Sequence, residues 1–155
     1  MLFGIHEHSL DSKNRLAIPS AVRDVLRPDV HGERFIAAPG LNGCLWLWPE
    51  KTFARWAESQ GQTLSNPEEV ARFEFLLFSQ ASSLPLDRVG RVCLPERLVK
   101  RYGLSGTLAI AGVRDHLEVR TKAEMDELMS SLEPAFLDSW RKARQALDER
   151  SASGK

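Results

Sequence analysis

"LDSKNRLAIP" at residues 10–19 and "LDRVGRVCLP" at residues 86–95 carry one pattern twice. Each runs apolar residue, Asp, two variable positions, a turn former, Arg, an apolar–small–apolar strand and Pro, at a constant offset of 76 positions. Internal repetition decides architecture early, because each copy is one supersecondary unit. The Asp accepts hydrogen bonds from backbone N–H groups ahead of it and so shapes a tight turn. Asn14 and Gly90 hold matching places, and these residue types are the most at ease with positive φ. Beyond the turn, Leu16 and Ile18, or Val92 and Leu94, alternate inward and leave the side chains between them outward.

The likeness extends downstream. "PSAVRDVL" follows the first copy and "PERLVKRYGL" the second, each with Pro suited to a first helical turn. Val22, Val25 and Leu26 form one helical face, Leu98, Val99 and Tyr102 the other, and Gly103 suits a left-handed helix end. "RFIAAPGLNGCLWLWP" and "TLAIAGVRDHLEVRT" then read as hairpins around Gly, Asn or Asp turns. A helix follows each. Phe53, Trp56 and Ala57 share a face in the first, while the second opens on Thr121 and Glu124 at capping-box spacing. Each half is therefore strand, turn, strand, short helix, hairpin, helix.

Four segments result. Residues 1–58 hold the first repeat and its helix, 59–78 a linking loop and helix, 79–133 the second repeat, and 134–155 an amphipathic helix and disordered tail. The loop is "SQGQTLSN" at 59–66. Asn66 with Pro67 starts the linking helix, on which Val70, Phe73 and Leu77 give an apolar face. Phe73, Phe75 and Phe78 read as packing residues. Phe136, Trp140, Ala143 and Leu147 fall at helical steps near the end, and "SASGK" reads as the tail.

Composition narrows the function. The 155 residues are 43% apolar and 27% charged, a globular balance. No apolar run approaches the roughly 20 residues that cross a bilayer, and the start lacks a basic leader, so a cytoplasmic protein without a membrane partner is expected. The net charge is zero, which counts against an indiscriminate nucleic-acid binder, a class that is usually strongly basic. Charge is nonetheless local: residues 86–104 carry Arg88, Arg91, Arg97, Lys100 and Arg101 against Asp87 and Glu96.

Catalytic and metal signatures are sparse. Cys44 and Cys93 read as small buried apolar residues, and His6 and His8 have no third ligand nearby. Glu7 with His8, or Asp115 with His116, could pair for acid–base work, yet neither has a nucleophile or phosphate loop beside it. No enzyme, cofactor, metal or small-molecule substrate is expected. Trp46 and Trp48 project from one strand face without a neighbouring cation, which favours packing over base stacking.

The repeated turn admits two uses. Asp11 with Arg15, and Asp87 with Arg91, can form local salt bridges of modest value. Alternatively the turns display Arg15 and Lys13 toward a polyanion, whose phosphates or guanine edges guanidinium groups bind in bidentate fashion. The doubled Asp-x-x-Gly-Arg-strand-Pro phrase, the two-half layout and the opening "MLFGIHEHSLDSKNRLAIP" closely resemble the MraZ family over roughly residues 1–145. That resemblance implies an α+β fold of two pseudo-symmetric SpoVT-AbrB-like halves forming a small β-barrel-like core with flanking helices. It also implies a nucleoid-associated transcriptional regulator, a homo-oligomeric ring on double-stranded DNA. The sites would be G-rich direct repeats in the promoter of the cell-division and cell-wall gene cluster. The family's Asp-x-Lys-Gly-Arg turn here reads Asp11, Ser12, Lys13, Asn14, Arg15, with Asn in place of Gly. The second copy keeps Gly90 but has Val89 in place of Lys. The resemblance thus points to Lys13, Asn14 and Arg15 as the leading DNA contacts, with Arg88 and Arg91 behind them. Asp11, Asp87 and Gly90 shape the turns.

Overall fold

A computed structural model describes residues 1–60 and 66–154. Two compact units compose it, residues 1–122 and residues from 123 onward. The loop expected at 59–66 falls largely, in residues 61–65, outside the described residues.

The first half runs β1 (Ile5–Ser9), β2 (Arg15–Ala17), α1 (Ser20–Arg23), α2 (Pro28–His31), β3 (Arg34–Pro39), β4 (Leu45–Pro49) and α3 (Glu50–Gln60). Helix α4 (Pro67–Gln80) leads to β5 (Ser82–Pro85), β6 (Arg91–Cys93), α5 (Glu96–Arg101), β7 (Thr107–Val113), β8 (His116–Thr121) and α6 (Lys122–Leu132). Apart from the short α2, the halves follow the same order.

Their strands interlock. Six of them form an antiparallel sheet in the order β1-β7-β8-β4-β3-β5, which reads the same when the halves are exchanged. Each half gives its first strand to the other half's hairpin: β1 pairs with β7, and β5 with β3. The remaining strands, β2 and β6, pair only with each other, as Arg15↔Cys93, Leu16↔Val92 and Ala17↔Arg91. The sheet is open, yet sheet and ribbon enclose one core, and in that sense it is barrel-like.

Strand alternation fills that core. Leu16, Ile18, Val92 and Leu94 face inward from the ribbon and are at most 1% exposed. Leu45, Leu47, Leu108, Ile110, Leu117 and Val119 meet them from the sheet. Burying each such side chain contributes on the order of 1.5–3 kcal/mol, so the ribbon is fixed by its inward face. Behind the sheet, α3 and α4 cover Ala38 and Trp48 with Phe53 and Leu77. Trp48 stacks on Trp56 with ring centroids 4.9 Å apart, in keeping with a packing role.

Local details depart from the periodicity. Helix α1 ends at Arg23, so Val25 leaves the expected apolar face and is 40% exposed. On α4, Asn66 Oδ1 accepts from the Glu68 N–H and Pro67 opens the helix. Leu77 is buried and Phe73 packs beside it; Phe78, half exposed, meets the Phe53 ring edge-on at 5.8 Å, and Phe75 is exposed rather than packed. Cys44 is buried as expected; Cys93 is exposed, because it alternates with Val92 and Leu94.

In the second unit, helix α7 (Phe136–Ser153) follows α6 and buries none of its side chains. It continues three residues into the segment expected as a disordered tail.

Candidate nucleic-acid interface

The two turns are built alike, bond for bond. In the first, Asp11 Oδ1 accepts from the backbone N–H groups of Lys13 and Arg15, each at 2.9 Å. In the second, Asp87 Oδ1 accepts from Val89 at 3.0 Å and Arg91 at 2.9 Å. The other carboxylate oxygen takes the guanidinium Nε of Arg15 or Arg91. Backbone bonds close each turn: the Asn14 N–H donates to Asp11 O, and that of Gly90 to Asp87 O.

Both turn formers adopt the left-handed region, Asn14 at φ 57° and Gly90 at φ 83°. They are not interchangeable. A Cβ on Gly90 would lie 2.6 Å from Cδ and Nε of Arg23, whose side chain crosses the second turn. Arg23 Nε is anchored there on the Ile18 carbonyl at 3.1 Å. At the 76-residue offset, Arg23 corresponds to Val99, which packs against the core instead. Asn14 therefore fits where the second turn needs Gly.

Pairing of β2 with β6 merges the turns into a single surface. They cap opposite ends of the ribbon, where the Ile18 N–H donates to Gly90 O and the Leu94 N–H to Asn14 O, both at 2.9 Å. Arg15, Ala17, Arg91 and Cys93 share the outward face, since directly opposite residues in a ladder point the same way. Arg15 and Arg91 stand two register pairs apart, roughly 7 Å along the ribbon. Lys13 and Arg88 are exposed on the flanking turns, with no side-chain partner among the described residues. The surface thus gathers Lys13, Arg15, Arg88 and Arg91 against two carboxylates, and Arg23 adds a further cation. Sequence reasoning missed Arg23; its mismatch with Val99 under the repeat offset was the available signal.

Electrostatics keep the turns charged. Asp11 is lowered from the ordinary 3.8 to about 2, first by the N–H of Arg15 and, against partial desolvation, by the Arg15 guanidinium and the Lys13 N–H. Asp87 is lowered by the corresponding bonds, led by the N–H of Arg91. Asp11 also lies 3.8 Å from Nη1 of Arg91, linking the two copies.

The other titratable groups noted in the sequence lie elsewhere. His116 Nδ1 pairs with Asp115 at 2.8 Å, its ring sandwiched near Trp46 and Trp48. Glu118 bonds Arg120 at 2.8 Å and lies 3.6 Å from Sγ of Cys44. Burial pushes the Cys44 thiol up to about 11, so it is held protonated and unreactive. Glu7 pairs with Lys122 at 3.1 Å.

Comparison with known proteins agrees with the doubled architecture. The family model described as "MraZ protein, putative antitoxin-like" matches residues 1–73 and 77–148. A relative named transcriptional regulator MraZ from Pediococcus pentosaceus is 33% identical over 138 residues, 89% of this chain and 93% of its own. One of the same name from Desulforamulus reducens is 32% identical over 139 residues, covering 88% and 92%. Another, from Roseiflexus sp. strain RS-1, is 32% identical over 136 residues, covering 86% and 90%.

Proposed function

This chain belongs to the MraZ family, and from that premise we propose that it is a sequence-specific DNA-binding transcriptional regulator. It binds repeated promoter elements, those of its own cell-division and cell-wall gene cluster, as a ring-shaped homo-oligomer in the nucleoid. The observation that carries this reading is the β2–β6 ribbon, which sets Arg15 and Arg91 on one outward face between two cationic turns.

A two-stranded ribbon is of a size the major groove of B-DNA admits. Held through Nε by Asp11 or Asp87, each guanidinium has a fixed orientation, and its terminal amino groups form the fork that matches guanine O6 and N7. Lys13, Arg88 and the backbone of Asn14 approach flanking phosphates and set the register without reading sequence. Lys13 and Arg15 lead, because the second turn carries Val89 where the first carries Lys13.

Neutral net charge is consistent with this design. One ribbon per subunit is a modest site, and a ring multiplies it: once one subunit is seated, neighbours meet the next repeat at high effective concentration. Footprinting upstream of the protein's own gene tests the reading. Protection at regularly spaced short repeats is expected; uniform protection that random DNA competes away would overturn it.

A further inference from the structure

Helix α7 spans 18 residues and buries none of them. Phe136, Trp140 and Leu147 are 60%, 62% and 63% exposed, and helical spacing places them with Ala143 on one stripe. Arg144 and Arg150 border that stripe, whereas Asp138 and Glu149 fall on the opposite side of the helix. Helices in proteins draw most of their stability from packing an amphipathic face, so the stripe calls for a cover.

A second uncovered apolar face lies on α4. Phe75 is 71% exposed, Leu76 51% and Phe78 50%, and Leu41 beside them is 71% exposed. Next to this face opens an apolar groove of about 540 Å³, lined by Leu41, Trp46, Trp56, Phe73 and Leu76. It is large enough to admit an indole ring. Two buried polar atoms in its lining residues, Trp46 Nε1 and Gln80 Oε1, have no hydrogen-bond partner among the described residues. The charges of α4 are opposite to those of α7. Glu68 lies on the helical line of Phe75, Glu74 and Glu69 lie about 100° and 120° around the helix from it, and Arg72 lies between Phe75 and Leu76, so α4 carries three carboxylates against one cation.

We propose that α7 of one copy docks on the α4 face of a second copy, with Trp140 at the groove and Arg144 and Arg150 facing the α4 glutamates. The inference rests on the oligomeric reading above and names the contact that builds it. Apolar stripe meets apolar face, and arginines meet carboxylates, a pairing that sets orientation. Made in one direction around an axis rather than exchanged reciprocally between two copies, the contact is heterologous, and a heterologous contact closes into a ring when its rotation permits.

The test is a mixing experiment read by sedimentation. Phe75→Glu and Trp140→Glu change exposed positions, and far-UV circular dichroism checks that each variant folds. Each alone is expected to sediment as a monomer at concentrations where the wild type assembles. Mixed, they should form a one-to-one dimer and stop, since one intact α7 meets one intact α4 face. A charge-reversal pair gives a second route: Glu74→Arg and Arg144→Glu each weaken assembly, and the double variant restores it. A wild-type ring that survives both glutamate variants overturns this contact alone. A wild-type chain that stays monomeric overturns the ring as well, and a mixture that stays monomeric overturns the α4–α7 pairing.

Discussion

Oδ2 of Asp11 lies 3.8 Å from Nη1 of Arg91, although the two residues belong to different copies of the repeated phrase. The same carboxylate holds Nε of Arg15 in its own turn. One acidic side chain therefore relates both outward arginines, and the ribbon works as a single unit rather than two displayed turns.

Acid should loosen this unit within a defined window. The folded Asp11 carboxyl titrates at about 2 and the unfolded one near 3.8, so its contribution to stability is complete well above pH 3.8. It is lost as pH falls from about 4 to 2, and Asp87, also lowered, adds in the same direction. Thermal unfolding followed between pH 6 and 2 should show a shallower acid slope for Asp11→Asn than for the wild type. Identical slopes would mean that the carboxylate does not brace the turn.

Gly90 and Asn14 should respond differently to substitution. Gly90→Ala forces a side chain into positive φ and displaces Arg23 from the Ile18 carbonyl, at a cost of about 1–3 kcal/mol. Asn14→Gly keeps the turn and should stay within about 1 kcal/mol of the wild type. Urea denaturation checks both. Equal losses at the two positions would show that Arg23 does not make the turns unequal.

Cys93 offers a chemical probe of the ribbon, since it opposes Arg15 on the outward face while Cys44 is buried and held as a thiol. A maleimide should label Cys93 selectively, and the labelled protein should lose DNA binding. Labelled protein that binds with unchanged affinity would place the DNA elsewhere.

Lys13 should act through phosphate. Its exchange for Ala should weaken binding to specific and random DNA alike and lower the slope of log K against log salt by about 0.9 for each phosphate left unneutralised. Binding titrations at several salt concentrations measure this. An unchanged slope removes Lys13 from the backbone contacts.

Much of this is legible in the residues themselves. Alternation at Leu16 and Ile18, and at Val92 and Leu94, marks the inward face, and repetition sets the order of elements in each half. The exchange of β1 and β5 between halves is not legible, because pairing such as His6↔Ile110 joins positions about a hundred residues apart with no local mark. The burial habit of its residue type misplaces Cys93, although its position between Val92 and Leu94 already puts it outside. Phe75 looks like a packing residue alongside Phe73, yet α4 can turn only one face inward, which Phe73 and Leu77 occupy with the Phe78 ring at its edge against Phe53. Arg23 carries no local signal because its role appears only when the second turn lies beneath it.

Arg15 is proposed to read DNA from the ribbon without holding the assembly together. Gel-shift titration of Arg15→Ala on the upstream repeats, alongside a sedimentation mass, tests it most directly. Affinity should fall by about 5- to 150-fold, since a bidentate base contact is worth about 1–3 kcal/mol, with the oligomer's mass unchanged. Wild-type affinity in the variant would rule out Arg15 as a base contact, and so would weakened binding that merely follows a broken oligomer.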